Sequence, residues 1–332
     1  MKILIIKLRG IGDVLLSTPA IKSVKNKYPD SFISVLTEKP GTEVLKENPY
    51  IDEIITLDKN LNLYEKIKFL KSIKDKKFDI AIDLFGNPRS AILTLISGAK
   101  KRIGHNIRVR RFCYNIKVKG SEKIEYAVCP NIDIIKTLGI DTVNIDLVLK
   151  LNQYEKDFAS KFFSQYTNEK KDLFIGVNPA SSWATKVWKK ENYISLIQSI
   201  VQKYNAKIFI LWGPGEEKLA KDILNSTKGI SIIIPPTNIR QLMGIIQKLD
   251  LLITNDSSPK HIAVALDVPT VTIYGATDPK AWNPPDDSRH HIVWKGLSCQ
   301  PCNKVKCNTL ECLEEITVTD VLEAVDKAFK KG

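Results

Sequence analysis

No apolar run in this chain approaches the roughly 20 residues that a helix needs to cross a bilayer, although 43% of its 332 residues are hydrophobic. The opening MKILIIKLRG goes directly into a strand pattern, without a signal-peptide profile or a small-residue cleavage site. A cytoplasmic location is therefore expected. No zinc-finger, RRM or other nucleic-acid module is visible, so no nucleic-acid partner is expected. Gly10-x-Gly12 opens like a dinucleotide fingerprint, but the third glycine would fall at position 15, where the chain has Leu15. That failure removes a nicotinamide-type site. Six cysteines in such a setting are expected as reduced thiols or metal ligands rather than disulfides.

What is abundant is positive charge. With 50 Lys and Arg against 37 Asp and Glu, the net charge is +13. That excess implies an anionic partner, and with no nucleic-acid module the candidates are a phosphorylated substrate or an anionic membrane surface. Lys66, Lys68, Lys71, Lys74, Lys76 and Lys77 lie along one expected helix and its end and read as a solvated face. Lys100, Lys101, Arg102, Arg108, Arg110 and Arg111 fall in a segment with no helical period. Loop arginines there suit two-pronged capture of a phosphate or carboxylate, and an anionic acceptor is expected.

Short apolar strands alternate with helical patterns from end to end, which predicts an α/β protein with doubly wound parallel sheets. Strands are expected at Lys2–Lys7, Ser31–Thr37, Glu53–Leu57 and Asp79–Leu84 in the first half. In the second they are expected at Leu173–Asn178, Lys207–Leu211, Ile230–Ile234, Leu251–Thr254 and Thr270–Tyr274. The length favours two domains, drawn at residues 1–152 and 153–316. Residues 317–332 carry a last helix, Val321–Phe329, capped by Thr319 or Asp320, that can pack back toward the first domain. A ligand cleft between two such halves is expected.

Three loops follow strands and carry chemistry. After Leu251–Thr254 comes Asn255-Asp256-Ser257-Ser258-Pro259-Lys260-His261. Ser258 reads as the N-cap of a helix with Pro259 in its first turn. A helix start at a parallel strand's C-terminal end favours a phosphate, and Lys260 and His261 add donors. An ordinary capped crossover is the plainer reading. After Leu173–Asn178 comes NPASSWATKVW, in which Ser181 and Ser182 can donate to a phosphate and Lys186 can neutralise it. After Lys2–Lys7, Gly10 and Gly12 let the backbone approach a ligand, and Asp13 sits at the strand edge where open α/β sheets bind ligands; capping the next helix is its alternative role. Near the C-terminus, Cys299, Cys302, Cys307 and Cys312 have the spacing C-x2-C-x4-C-x4-C. Four cysteines can make a zinc site, but these spacings differ from paired C-x2-C knuckles and also fit clustered free thiols.

Taken together, RGIGDVLLSTPA, NPASSWATKVW, TNDSSPKHIAVAL and YGATDP resemble glycosyltransferase family 9, the ADP-heptose:lipopolysaccharide heptosyltransferases. The C-x-P-C segment at Cys299–Cys302 resembles the heptosyltransferase II branch. The resemblance implies a GT-B fold of two Rossmann-like domains facing across a cleft, the acceptor on the first and the donor on the second. It implies an inverting, metal-independent transfer from ADP-heptose to a lipopolysaccharide-core acceptor, with no cofactor and with peripheral contact at the cytoplasmic face of the inner membrane. By the same resemblance Asp13 is the general base, and the residues read above, Gly12 beside it and the loop arginines Arg108, Arg110 and Arg111, are expected toward the acceptor. Ser181, Ser182 and Lys186 hold the donor phosphates, with Lys186 also stabilising the leaving group. Asp256 binds sugar hydroxyls, Ser257 and Ser258 cradle phosphate beside His261, and Glu216 or Glu217 accepts from the nucleoside. The family usually has glycine where this chain has Ser258. Another GT-B enzyme, such as a nucleotide-sugar 2-epimerase, and a non-catalytic nucleotide-sugar or anionic-lipid binding module are the alternatives.

Overall fold

The computed structural model describes residues 1–141, 143–167 and 172–330. It divides into two compact units, Met1–Lys150 and Leu151–Gly332. Among the described residues each unit carries one six-stranded sheet in which every pairing is parallel.

In the first unit the strands are β1 (Lys2–Ile6), β2 (Phe32–Glu38), β3 (Glu53–Leu57), β4 (Ile80–Asp83), β5 (Lys101–His105) and β6 (Ile116–Val118). Their order across the sheet is β3-β2-β1-β4-β5-β6. Ile3, Leu4, Ile5 and Ile6 are all fully buried, so both faces of β1 are covered. This is why β1 reads as a continuous apolar run rather than an alternating one. The second unit holds β7 (Phe174–Asn178), β8 (Lys207–Ile210), β9 (Ser231–Ile233), β10 (Leu251–Asn255), β11 (Thr270–Ile273) and β12 (His290–Val293). Its order is β12-β11-β10-β7-β8-β9. The two orders are the same topology, each built outward in both directions from its first strand. In such sheets the crevice lies where the winding reverses, outside the C-terminal ends of the two central strands. Those strands are β1 and β4 in one unit and β7 and β10 in the other.

The strand expectations hold for nine elements, with ends shifted by a residue. Three strands went unread: β5, β6 and β12. Each carries polar residues (KRIGH, IKV, HHIV) and lies at or near a sheet edge, where one side needs no apolar cover. The segment expected as an arginine loop is therefore partly β5, followed by a 3-10 turn Arg108–Cys113. The last helix runs Val318–Phe329 and starts earlier than expected. Thr317 is its cap and closes a capping box with Asp320. It packs on β11, β12 and the helix Lys190–Tyr204, all of its own unit, and Val321, Ala324 and Val325 enter that unit's core.

One buried ion pair ties two helices of the second unit. Arg240 on the helix Ile239–Gln247 donates from Nε to Glu155 Oε1 at 2.8 Å, on the helix Gln153–Phe163. Both residues are buried. Gly244 stands one turn along, where a Cβ would strike the Glu155 backbone carbonyl, so the helices meet backbone to backbone. Burial pushes the Glu155 carboxyl up, but the bond from Arg240 and the backbone N–H groups outweigh it and hold the carboxyl below its ordinary value. Arg240→Met leaves that carboxylate buried and unpaired and is expected to cost about 3–5 kcal/mol in urea unfolding. Because the folded carboxyl is depressed, this stability is complete above the unfolded value of about 4.3 and is lost as pH falls through the folded one; parent and variant should converge only below that folded value.

Candidate functional site

In the second unit the loops leaving β7 and β10 are locked together by one buried amide. Asn255 closes β10. Its Nδ2 donates to the carbonyl of Pro179 at 2.9 Å, and its Oδ1 accepts from the Trp188 backbone N–H at 3.2 Å and the Tyr193 hydroxyl at 3.0 Å. Asn178 closes β7 and reaches the other way, donating to the Ala180 carbonyl, Thr254 Oγ1 and Ser257 Oγ, each at 3.2 Å. Gly275 lies against the Thr185 carbonyl so closely that a Cβ would collide with it. The Ala276 N–H donates to that same carbonyl at 3.2 Å.

This framework delivers Lys186 to Asp256. Lys186 Nζ donates to Asp256 Oδ2 at 2.7 Å, and Thr277 Oγ1 donates to the same oxygen at 2.8 Å. Asp256 is 2% exposed. The Lys186 ammonium also lies 4.7 Å from the Trp183 ring centre and 5.7 Å from that of Trp282. Directly after Asp256 begins the helix Ser258–Ala265, with Ser257, not Ser258, at its cap. Ser257 makes no side-chain cap bond, because its hydroxyl is engaged by Asn178. The first-turn N–H groups are thus left for another acceptor. Ser258 is already helical and sits outside the left-handed region, so the backbone does not require glycine there.

Two further groups sit beneath that helix start. Lys260 is fully buried; its Nζ donates to the Tyr274 hydroxyl at 3.0 Å and to the Trp282 carbonyl. Burial lowers its pKa to about 8, with Asp256 pulling the other way. His261 is buried with its Nδ1 lacking a partner among the described residues; burial first, then Lys260, holds it well below its ordinary value, so it is neutral. Burial would raise Asp256, but Lys260 and Lys186 outweigh it and keep the carboxylate ionised.

The remaining expected residues of this unit are placed as follows. Ser181 is half-buried and Ser182 exposed, both in the loop leading to Lys186. Glu216 Oε2 accepts from the Gly213 N–H at 2.8 Å and so closes the loop after β8. Glu217 pairs instead with Lys221 at 2.7 Å along its own helix. Cys299 and Cys307 are exposed, Cys302 half-buried and Cys312 buried, all as free thiols. Among the described residues no three His, Cys, Asp or Glu side chains converge to hold a metal ion. The cysteine segment is hydrogen-bonded to the site's loops: Thr185 Oγ1 donates to the Lys304 carbonyl at 2.6 Å, and the Asn303 N–H donates to the Ala276 carbonyl at 2.9 Å.

In the first unit Gly10 takes a φ of 85° and caps the helix Ile11–Leu15. A Cβ on Gly10 would strike the Asp13 carboxylate, which folds back over it. Gly12 is buried in that first turn. Asp13 therefore lies in the helix's first turn rather than at its cap. Sequence reasoning missed the polar groups around it. Lys7 is buried and donates to the Leu84 carbonyl at 2.9 Å; burial lowers its pKa, while Asp13 and Asp83 oppose the shift. Asp83 ends β4 and is fully buried. It accepts from the N–H groups of Phe85 at 2.9 Å and Gly86 at 2.8 Å, from Ser90 Oγ at 2.7 Å and from Tyr114 Oη at 2.6 Å. Of the three arginines, Arg110 is half-buried and donates to the Gly86 carbonyl, while Arg108 and Arg111 are exposed on the 3-10 turn. The only signal for Asp83 was its place at the end of an apolar run.

A family model described as glycosyltransferase family 9 (heptosyltransferase) matches residues 66–313. Lipopolysaccharide heptosyltransferase 3 of Escherichia coli K12 is 26% identical over 96% of this chain and 96% of its own length. A crystal structure of a family 9 glycosyl transferase from Veillonella parvula superposes with a TM-score of 0.87 at 23% identity, covering 100% of this chain and 97% of that one. The structure of the E. coli ADP-heptose LPS heptosyltransferase II gives 0.80 at 21% identity, covering 100% and 99%. The shared architecture is the GT-B fold, with its two Rossmann-like units.

Asn255→Ala removes the acceptor of two buried donors and the donor to Pro179. It is expected to lower stability by about 2–3 kcal/mol in thermal or urea unfolding, well beyond a surface change; a loss under about 0.5 kcal/mol would contradict its place as the tie between the loops.

Proposed function

This chain belongs to glycosyltransferase family 9, the heptosyltransferase family, and on that footing we propose that it moves a heptose from ADP-heptose to the inner core of lipopolysaccharide, with inversion and without a catalytic metal. The names of its relatives, a lipopolysaccharide heptosyltransferase and an ADP-heptose LPS heptosyltransferase, supply the substrate class. One observation carries the donor side: two lysines face one buried carboxylate beside a helix start whose cap side chain leaves its N–H groups free. Two cations against one anion leave net positive charge, which suits a diphosphate.

On this reading the second unit takes the donor. Ser181, Ser182, Lys186 and the N–H groups at Ser257 and Ser258 hold the diphosphate, with His261 beneath. Lys186 stabilises the charge that grows on the leaving phosphate oxygen as the anomeric C–O bond breaks. Lysines and helix N–H groups supply there the positive charge that a metal on a D-x-D pair supplies elsewhere. Asp256 accepts from sugar hydroxyls, and Glu216, in the loop after β8, or Glu217 accepts from the nucleoside. The first unit takes the acceptor. Asp13 removes the proton of the attacking hydroxyl, which adds in line to the anomeric carbon. Lys7 is electrostatically coupled to Asp13, whose charge opposes the lowering that burial imposes on the lysine. Gly12 allows close approach, and Arg108, Arg110 and Arg111 meet acceptor phosphates or carboxylates. No described helix is long and apolar enough to cross a membrane. The +13 charge suits peripheral contact with the cytoplasmic face of the inner membrane.

The test is transfer from ADP-heptose to core-oligosaccharide acceptors, run beside other nucleotide sugars and with chelator present. Full activity in chelator with ADP-heptose is expected. Asp13→Ala is expected to cut turnover at least about a hundredfold while leaving ADP affinity unchanged; unaltered turnover removes Asp13 from the role. Ser258→Gly is expected to keep or improve ADP affinity, since the Ser258 side chain borders the anion site without shaping its backbone.

A further inference from the structure

We propose that Lys260 is a positioning residue: it takes over as the counter-ion of Asp256 when the donor diphosphate draws Lys186 away. This rests on reading the site as a nucleotide-diphosphate site. Asp256 Oδ2 has two direct donors, Lys186 Nζ at 2.7 Å and Thr277 Oγ1 at 2.8 Å. Lys186 is the one that can leave, being the partly exposed partner at 14% of its side chain against 2% for Asp256. Once it swings to a phosphate, a buried carboxylate would keep only a neutral hydroxyl. A buried charge stripped of its partner is strongly unfavourable, so donor binding would be opposed by the residue beside it.

Lys260 removes that obstacle. It follows Asp256 by four residues, in the first turn of the helix, and is fully buried, and its ammonium is held by neutral groups, the Tyr274 hydroxyl and the Trp282 carbonyl. Among the described residues it makes no direct ion pair, yet Asp256 and Lys260 each feel the other's charge. The other ionisable groups facing it are Lys186, the neutral His261 and His290, which burial lowers to about 4. A buried lysine without a bonded carboxylate is a poor stabiliser. Its charge is useful when Asp256 is left alone.

Lys260→Met removes the charge and keeps the bulk. Titration of the full chain with ADP at neutral pH is expected to show about tenfold or more weaker binding. In a Lys186→Met background the same change is expected to cost less than about threefold, because Asp256 then loses no partner on binding. No loss in either background, or the same loss in both, overturns the inference. A melting temperature at or above the parent's is expected, since a buried charge has been removed. If the variant does not fold, the parent protein carries the test: its ADP affinity should fall as pH rises through about 8, where Lys260 loses its proton, the ADP phosphates having titrated near about 6. A flat profile overturns the inference. A parent that binds no ADP overturns the diphosphate reading and this inference with it; a parent that binds ADP without regard to Lys260 overturns the inference alone.

Discussion

A parallel sheet covered on both faces leaves polar chemistry one place to go. The faces of β1 and β10 are filled by residues with no exposure, so a charge placed mid-strand would have neither water nor a partner. The strand ends are different. There the chain turns, the backbone needs hydrogen bonds, and side chains such as Asn178, Asn255 and Asp83 supply them. Each unit uses the two central strand ends in this way, and Asp13, Lys186 and Asp256 all lie in the segments that leave them.

The second unit shows how such an edge becomes reactive. Neutral amides tie the two loops, and the ties leave charged groups concentrated in a small buried volume. Burial and neighbouring charge together set three of these groups: the Asp256 carboxylate stays ionised, the His261 imidazole stays neutral and the pKa of Lys260 is lowered to about 8. The first unit repeats the logic with fewer charges. Lys7 feels the charges of both Asp13 and Asp83, and Asp83 itself accepts from four donors.

Much of this was legible in the sequence. Apolar runs such as KILII and LLITN are strands wherever both faces are covered, and they were read as such. Asp13, Lys186 and Asp256 stand out in the sequence as expected site residues because they follow strands in turn-forming loops. Three kinds of feature do not. Edge strands such as HHIV lack an apolar signature because packing, not periodicity, makes them strands. The cap is Ser257 rather than Ser258: two adjacent serines have the same local chemistry, and the extended backbone that makes Ser257 the cap is set by the fold. Lys7, Asp83, Asn255 and the burial of Lys260 depend on contacts between loops far apart in sequence, which spacing along one strand cannot reveal.

The contact between Gly275 and the Thr185 carbonyl has a thermodynamic consequence. Loops that close over a ligand must surrender conformational freedom on association, and that ordering is subtracted from the affinity. Here the loop bearing Lys186 is already fastened from three sides, by Asn255, by the Gly275–Ala276 backbone and by the Lys304 carbonyl. Its ordering was charged to folding rather than to binding. The loop can therefore stay on polar, solvent-facing residues such as Ser182 and still present its lysine in one position, and an encounter with a small anionic ligand need order little more than the Lys186 side chain itself.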